Sequence, residues 1–159
     1  MKIHVDWSSG VPLEEAYELR SPTDYGIYQI YGSHPVYGHN VLLYIGKAQE
    51  QTFGVRLNQH IKWIQNQDST NVRVYTGRIS SDDVQDENWD LKIDLAEKLL
   101  IYTHQPACNT SNLNSLGHMP EGTHVYNWLD RGMLLPEVSA YRYLVADEEF
   151  ENYDILSTE

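Results

Sequence analysis

The sequence predicts an α/β domain: a small, mostly antiparallel three-stranded central sheet flanked by helices, with an extra C-terminal hairpin. Three observations lead there. Two aromatic and β-branched runs, residues 25–31 and 41–45, are joined by a loop holding Gly32, Pro35, Gly38 and Asn40, and such a pair most simply forms antiparallel strands. A third run, residues 71–79, alternates, with Val72, Val74 and Thr76 on one face and Arg73 and Tyr75 on the other. The longest helical pattern, residues 87–104, is apolar on two sides and stops before Pro106.

In chain order, residues 1–24 read as an N-terminal arm. It has a strand near residues 2–7, a Ser8-Ser9-Gly10 turn and a short helix over residues 12–19, broken by Ser21-Pro22-Thr23-Asp24. Residues 25–112 form the core. After the first two strands, Thr52 is placed to cap a helix running to about residue 66, with Val55, Ile61 and Ile64 apolar and Trp63 alongside. Residues 80–86 read as an acidic loop. In the long helix, Leu91, Leu95, Leu99 and Tyr102 make one apolar stripe, and Ile93, Leu100 and Ile101 another. Residues 113–146 read as an extension packed on the core. Within it, runs 125–129 and 133–138 flank an Asp130-Arg131-Gly132 turn, and Pro136 assigns the second run to an edge. Residues 147–159 are an acidic tail.

The 159 residues suit one domain, and 41% hydrophobic content with 12 Tyr and 4 Trp excludes a disordered chain. No apolar run reaches membrane-spanning length, and Met1-Lys2-Ile3-His4-Val5-Asp6 lacks a signal-peptide core, so the expected compartment is the cytoplasm, with no membrane partner. The lone Cys108 rules out an internal disulfide and cysteine-based zinc fingers. The net charge of −12 is unevenly spread. Residues 25–80 hold five basic residues against two acidic, whereas residues 81–97 hold seven acids and one lysine. Solvated loops and a tail account for the acidic blocks most simply.

Six side chains have the chemistry for cutting a phosphodiester. The reaction needs an activated water, charge stabilisation on the phosphoryl oxygens and help for the leaving oxygen. Glu97 stands on the long helix among Ile93, Leu100 and Ile101. A carboxylate in apolar company is costly unless paired or metal-bound, and Mg²⁺ takes one or two such oxygens. Arg56 and His60, four residues apart, share a helix face: a donor fork that suits phosphate, and a group that passes protons near neutral pH. At that spacing alone, a surface pair is commoner. Tyr28 and Tyr44 need a nearby cation or bound water to act as bases, and Lys47 is close enough in sequence to supply a positive field. For one tyrosine among twelve, packing is the simpler role. His118 and His124, six apart without cysteine partners, do not make a zinc site.

The order of these residues carries more than any one of them. Gly26-Ile27-Tyr28 and Tyr44-Ile45-Gly46 stand on the first strand pair with fifteen residues between them, followed by Arg56-x-x-x-His60, Glu97 and Asn109. This set, over residues 25–112, resembles the GIY-YIG nuclease superfamily. The resemblance implies a divalent-metal-dependent DNA endonuclease with a single Mg²⁺, replaceable by Mn²⁺, held by Glu97. It implies that Arg56 contacts the phosphate, that His60 or Tyr28 activates water, and that Tyr44 orients it. Gly26 and Gly46 would support the site, and Asn109 would be a structural hydrogen-bond partner. Three departures stand out: a long loop between the triplets, a stretched run from Lys47 to Arg56, and the overall acidity.

DNA is thus the expected partner. No helix-turn-helix or finger is evident, so recognition falls to the added segments in a homodimer, to DNA shape, or to a separate partner. Two rival readings are kept. One is a nucleic-acid-binding or regulatory protein that retains the frame without cutting. The other is an acidic interaction protein whose tail mimics nucleic acid toward a basic partner.

Overall fold

The computed structural model describes residues 1–59, 71–80 and 88–144. The strands are β1 (Lys2–Trp7), β2 (Val11–Pro12), β3 (Gly26–His34), β4 (Gly38–Ala48), β5 (Arg73–Ser80), β6 (His124–Leu129) and β7 (Glu137–Ser139). Four helices accompany them among the described residues: α1 (Leu13–Ala16), α2 (Phe53–Gln59), α3 (Trp89–His104) and α4 (Tyr141–Leu144).

The expected small three-stranded sheet with an added hairpin is overturned. All seven strands form one mixed sheet in the order β4-β3-β5-β1-β6-β7, with β2 also on β5. β4, β3 and β5 are antiparallel neighbours, but β1 pairs antiparallel with β5 on one side and parallel with β6 on the other. The physical cause lies in the N-terminal run. Ile3, Val5 and Trp7 are all buried, so β1 has a full apolar face to place and cannot remain at the periphery. Its burial joins the core strands and the C-terminal hairpin into one sheet. Trp7 Nε1 donates to Asn127 Oδ1 at 2.9 Å inside the core, fixing β1 against β6.

The sheet divides the core into two. On one face, α3 packs Ile93, Leu95, Ala96, Leu99 and Leu100 against Ile3, Val5, Trp7, Ile27, Ile45 and Val125. Leu91, expected in the apolar stripe, is exposed. On the other face, α1 and α2 cover β3, β4 and β5, burying Leu13, Phe53 and Leu57 against Tyr28, Ile30 and Val74. On that same face, β1 and β6 carry His4, Tyr126 and Trp128 in register. Trp128 Nε1 donates to His4 Nδ1 at 3.0 Å with the two planes only 6° apart. An in-plane bond shorter than the ~3.5 Å of stacked carbon contact means that these rings lie edge to edge.

Local details correct two further expectations. β4 runs on to Ala48, so Tyr44, Gly46 and Lys47 are all strand residues. Thr52 does not cap α2: its Oγ1 has no hydrogen-bond partner among the described residues. The first N–H groups of the helix are instead met by backbone, Phe53 N on Asp24 O at 2.7 Å and Gly54 N on Leu19 O at 2.9 Å. The N-terminal segment thus supplies the acceptors that a side chain was expected to supply. The remainder of the expected helix to about residue 66, the acidic loop's residues 81–86 and the tail lie outside the described residues. No helix among the described residues is long and apolar enough to cross a membrane.

Candidate functional site

Of the expected site residues, Tyr28, Tyr44, Lys47, Arg56 and Glu97 come from four elements and are brought together at the β4 edge of the sheet. Tyr28 on β3 is in register with Gly46 on β4, so both face α2, as does Tyr44 two residues earlier. The two phenol rings stand 6.1 Å apart at 29°. Gly46 leaves room for them: a Cβ there would come within 2.6 Å of Tyr28 Cζ and Oη and of Tyr44 Cε1. Gly26 (φ +141°) serves backbone approach, because a Cβ would strike the Gly77 carbonyl on β5.

Lys47, next along β4, points to the opposite face and meets α3. Its Nζ lies 2.5 Å from Asp94 Oδ1 and 3.6 Å from Glu97 Oε2. Asp94 also receives Lys98 at 2.7 Å. Asp94 was not singled out from the sequence. Its signal was its position three residues before Glu97, on the same helix face. Because Lys47 and Lys98 both sit on Asp94, its carboxyl is held below the usual range against the opposing effect of burial. Glu97 behaves oppositely. Burial pushes its pKa up, Lys47 only partly offsets this, and the Asp94 charge adds to the rise. The difference follows first from burial, which is deeper at Glu97, and then from Asp94 holding both Lys98 and the nearer approach of Lys47. Burial works against the Lys47 charge, but its bond to Asp94 and the Glu97 charge outweigh that and raise its pKa.

Arg56 on α2 is the neighbour common to both faces. Burial raises the Tyr28 phenol well above its ordinary value, with Tyr44 adding to the rise and the Arg56 guanidinium opposing it. Tyr44 is raised by burial and by Glu97, again against Arg56. The same guanidinium favours the ionised form of Glu97. Arg56 Nη1 donates to Gln59 Oε1 at 2.9 Å, and Gln59 Nε2 to Gln51 Oε1 at 3.0 Å. Its Nε is buried without a hydrogen-bond partner among the described residues. Gln59, which holds Arg56 Nη1, was likewise not singled out from the sequence, although its place three residues after Arg56 puts it on the same helix face. Lys47, Gln49, Glu50, Gln51 and Arg56 line a cleft of about 290 Å³. His60 lies outside the described residues.

Asn109 is apart from this chemistry. Its Oδ1 accepts from Ile45 N at 3.0 Å and its Nδ2 donates to Ile45 O at 2.9 Å, both buried. Cys108 N adds a bond to Leu43 O at 2.7 Å and Ala107 N one to Leu42 O at 3.2 Å. Residues 107–109 therefore complete the outer edge of β4 as a neighbouring strand would.

Among the described residues, no group of three His, Cys, Asp or Glu side chains is arranged around a metal position. The site offers Glu97 and, one turn earlier, Asp94, which is already committed to two lysines. A single partly desolvated carboxylate fits a hydrated divalent ion that keeps most of its waters.

No protein-family model, curated protein or solved structure matches the chain. The resemblance drawn from the motif therefore rests on the residues themselves.

Proposed function

We propose that the chain is a divalent-metal-dependent endonuclease that hydrolyses DNA phosphodiester bonds. The observation that carries this is the convergence at Arg56, where one guanidinium acts on the buried Tyr28 phenol, the half-buried Tyr44 phenol and the half-buried Glu97 carboxylate from three other elements. Convergence of these residue types from distant points in the chain is what phosphoryl chemistry requires, and packing alone has no need of it.

In this proposal, Arg56 and Lys47 line the cleft that receives the phosphate. Glu97 would hold Mg²⁺ or Mn²⁺, which supplies charge stabilisation at the phosphoryl oxygens. Tyr44 orients the attacking water. Tyr28, with its phenol raised by burial, stays protonated at neutral pH and donates a hydrogen bond. His60 is then the proton acceptor.

A second reading has a specific observation in its favour. Lys47 Nζ stands beside Asp94 and Glu97, so the protein's own cation occupies the carboxylates a metal would use. In that reading the frame binds nucleic acid without cutting. Nicking of supercoiled plasmid at low salt, with Mg²⁺ or Mn²⁺, separates the two. The nuclease proposal expects cutting that needs both the metal and Glu97, and is overturned by cutting that survives Glu97→Ala. Duplex binding without cutting selects the second reading.

A further inference from the structure

Beside the phosphate-sized cleft lies a larger one with the opposite chemistry. It has a volume of about 530 Å³ and is lined by two aromatic residues, Tyr25 and Trp89, two acidic residues, Glu50 and Asp90, and by Gln51 and Thr52. That volume is within the range of small-ligand sites. Tyr25 and Trp89 also wall a smaller cleft of about 190 Å³ that contains Arg78. Arg78 is already engaged: Nη2 lies 2.6 Å from Asp24 Oδ1, and the guanidinium sits 5.7 Å from the Phe53 ring centroid. Lys47, on the other flank, is paired with Asp94. No described basic side chain lines the larger cleft. Its two sides are tied together, since Gln49 Nε2 at the end of β4 donates to Asp90 O at the start of α3, at 3.3 Å.

The lining discriminates among ligands. A phosphate or carboxylate would face Glu50 and Asp90 in a protein of net charge −12. A neutral apolar body would strip water from both carboxylates with no return. A flat organic cation meets both demands, because its face lies on Trp89 and Tyr25 and its N–H groups reach the acids. We propose that this cleft binds a guanidinium or alkylammonium group, with the arginine side chain of a basic polypeptide as its source. Arginine is favoured over lysine because a planar fork stacks on rings and pairs with carboxylates at the same time. The inference is independent of the nuclease proposal, since it uses neither the metal nor the tyrosine pair.

The test is calorimetric titration of the full chain at low salt with three probes: a short arginine-containing peptide, spermidine and guanosine monophosphate. The peptide should saturate, spermidine should bind more weakly, and the nucleotide should not bind. Trp89→Ala, and separately the double change Glu50→Gln with Asp90→Asn, should each weaken the peptide by about tenfold or more. Trp89→Phe, which keeps a ring, should restore most of the loss and so separates a lost contact from a misfolded cleft. Tighter binding of spermidine than of peptide would overturn the polypeptide as source. Failure of both cations to bind, indifference to the substitutions, or preference for the nucleotide would overturn the cation site itself.

Discussion

The Tyr28 ring lies directly across Gly46 on the neighbouring strand, so close that a single methyl group at Gly46 would stand 2.6 Å from the phenol Cζ and Oη. The second triplet ends in glycine for this reason: the side chain of the first triplet occupies the space. Gly46→Ala must displace both Tyr28 and Tyr44. Overpacking of a filled core typically costs about 1–3 kcal/mol, and that is the loss expected in urea unfolding. Nicking should fall further than stability, by about tenfold or more, because the rings lose their position relative to Arg56. A variant with wild-type stability and wild-type nicking would show that the tyrosine pair has slack that the structure does not indicate.

Glu97 and Asp94 divide one lysine unequally, and this sets an expected pH profile. With the Glu97 carboxyl raised by burial and by the Asp94 charge, the ionised form needed for metal is reached at higher pH than for an ordinary glutamate. Activity should therefore decline as pH falls through that raised value. Asp94→Asn removes the like charge and frees Lys47 to move onto Glu97, so the acidic limb should shift to lower pH. Glu97→Gln should reduce metal-dependent cutting at least ~100-fold at every pH. A limb that does not move in Asp94→Asn would assign it to another group.

The candidate site residues were readable because each is an unusual type at a particular place: Tyr28 and Tyr44 within the paired triplets of two strands, and Glu97 among isoleucines and leucines on one helix. Local order places such residues on their elements. Which elements become neighbours is another matter. The alternation of Ile3, Val5 and Trp7 shows a strand with one buried face, but nothing in it names β5 and β6 as partners. The Trp7–Asn127 bond spans 120 residues. A parallel pairing at that separation is decided by where α3 lays its apolar face, which is a property of the assembled core. Thr52 shows the same limit at small scale. The residue type suits a cap, but the Asp24 and Leu19 carbonyls reached the helix start first.

Asn109 gives the test of the β4 edge. Its amide meets both the N–H and the C=O of Ile45 in a buried position. Asn109→Ala leaves two buried backbone groups unsatisfied, at about 1–3 kcal/mol each, so thermal and urea unfolding should show a loss of about 2–6 kcal/mol. Asn109→Asp keeps the acceptor for Ile45 N but sets a carboxylate against the Ile45 carbonyl, and should be nearly as damaging. Because the edge is then uncovered, both variants should aggregate faster on mild heating, which light scattering would detect. Wild-type stability in Asn109→Ala would mean that the Leu42 and Leu43 bonds hold the edge alone.

His104, in the last turn of α3, links that helix to the β6–β7 connection. Leu135 N donates to Nε2 at 2.9 Å, so Nε2 is the acceptor nitrogen and Nδ1 carries the proton it gives to Leu100 O, also at 2.9 Å. Protonation of Nε2 would set two donors against each other. Burial lowers the His104 pKa, and the Leu100 bond offsets this only in part. With the folded value below the unfolded value of about 6.5, the unfolded chain takes up the proton first as pH falls. The contribution of His104 is therefore complete above about pH 6.5 and is lost as pH falls below that toward its depressed folded value. Urea unfolding at several pH values between neutral and mildly acidic should show stability falling with pH, and His104→Gln should flatten that slope while lowering stability at neutral pH. If the variant keeps the full slope, the pH sensitivity belongs to other groups, and His104 contributes only its two hydrogen bonds.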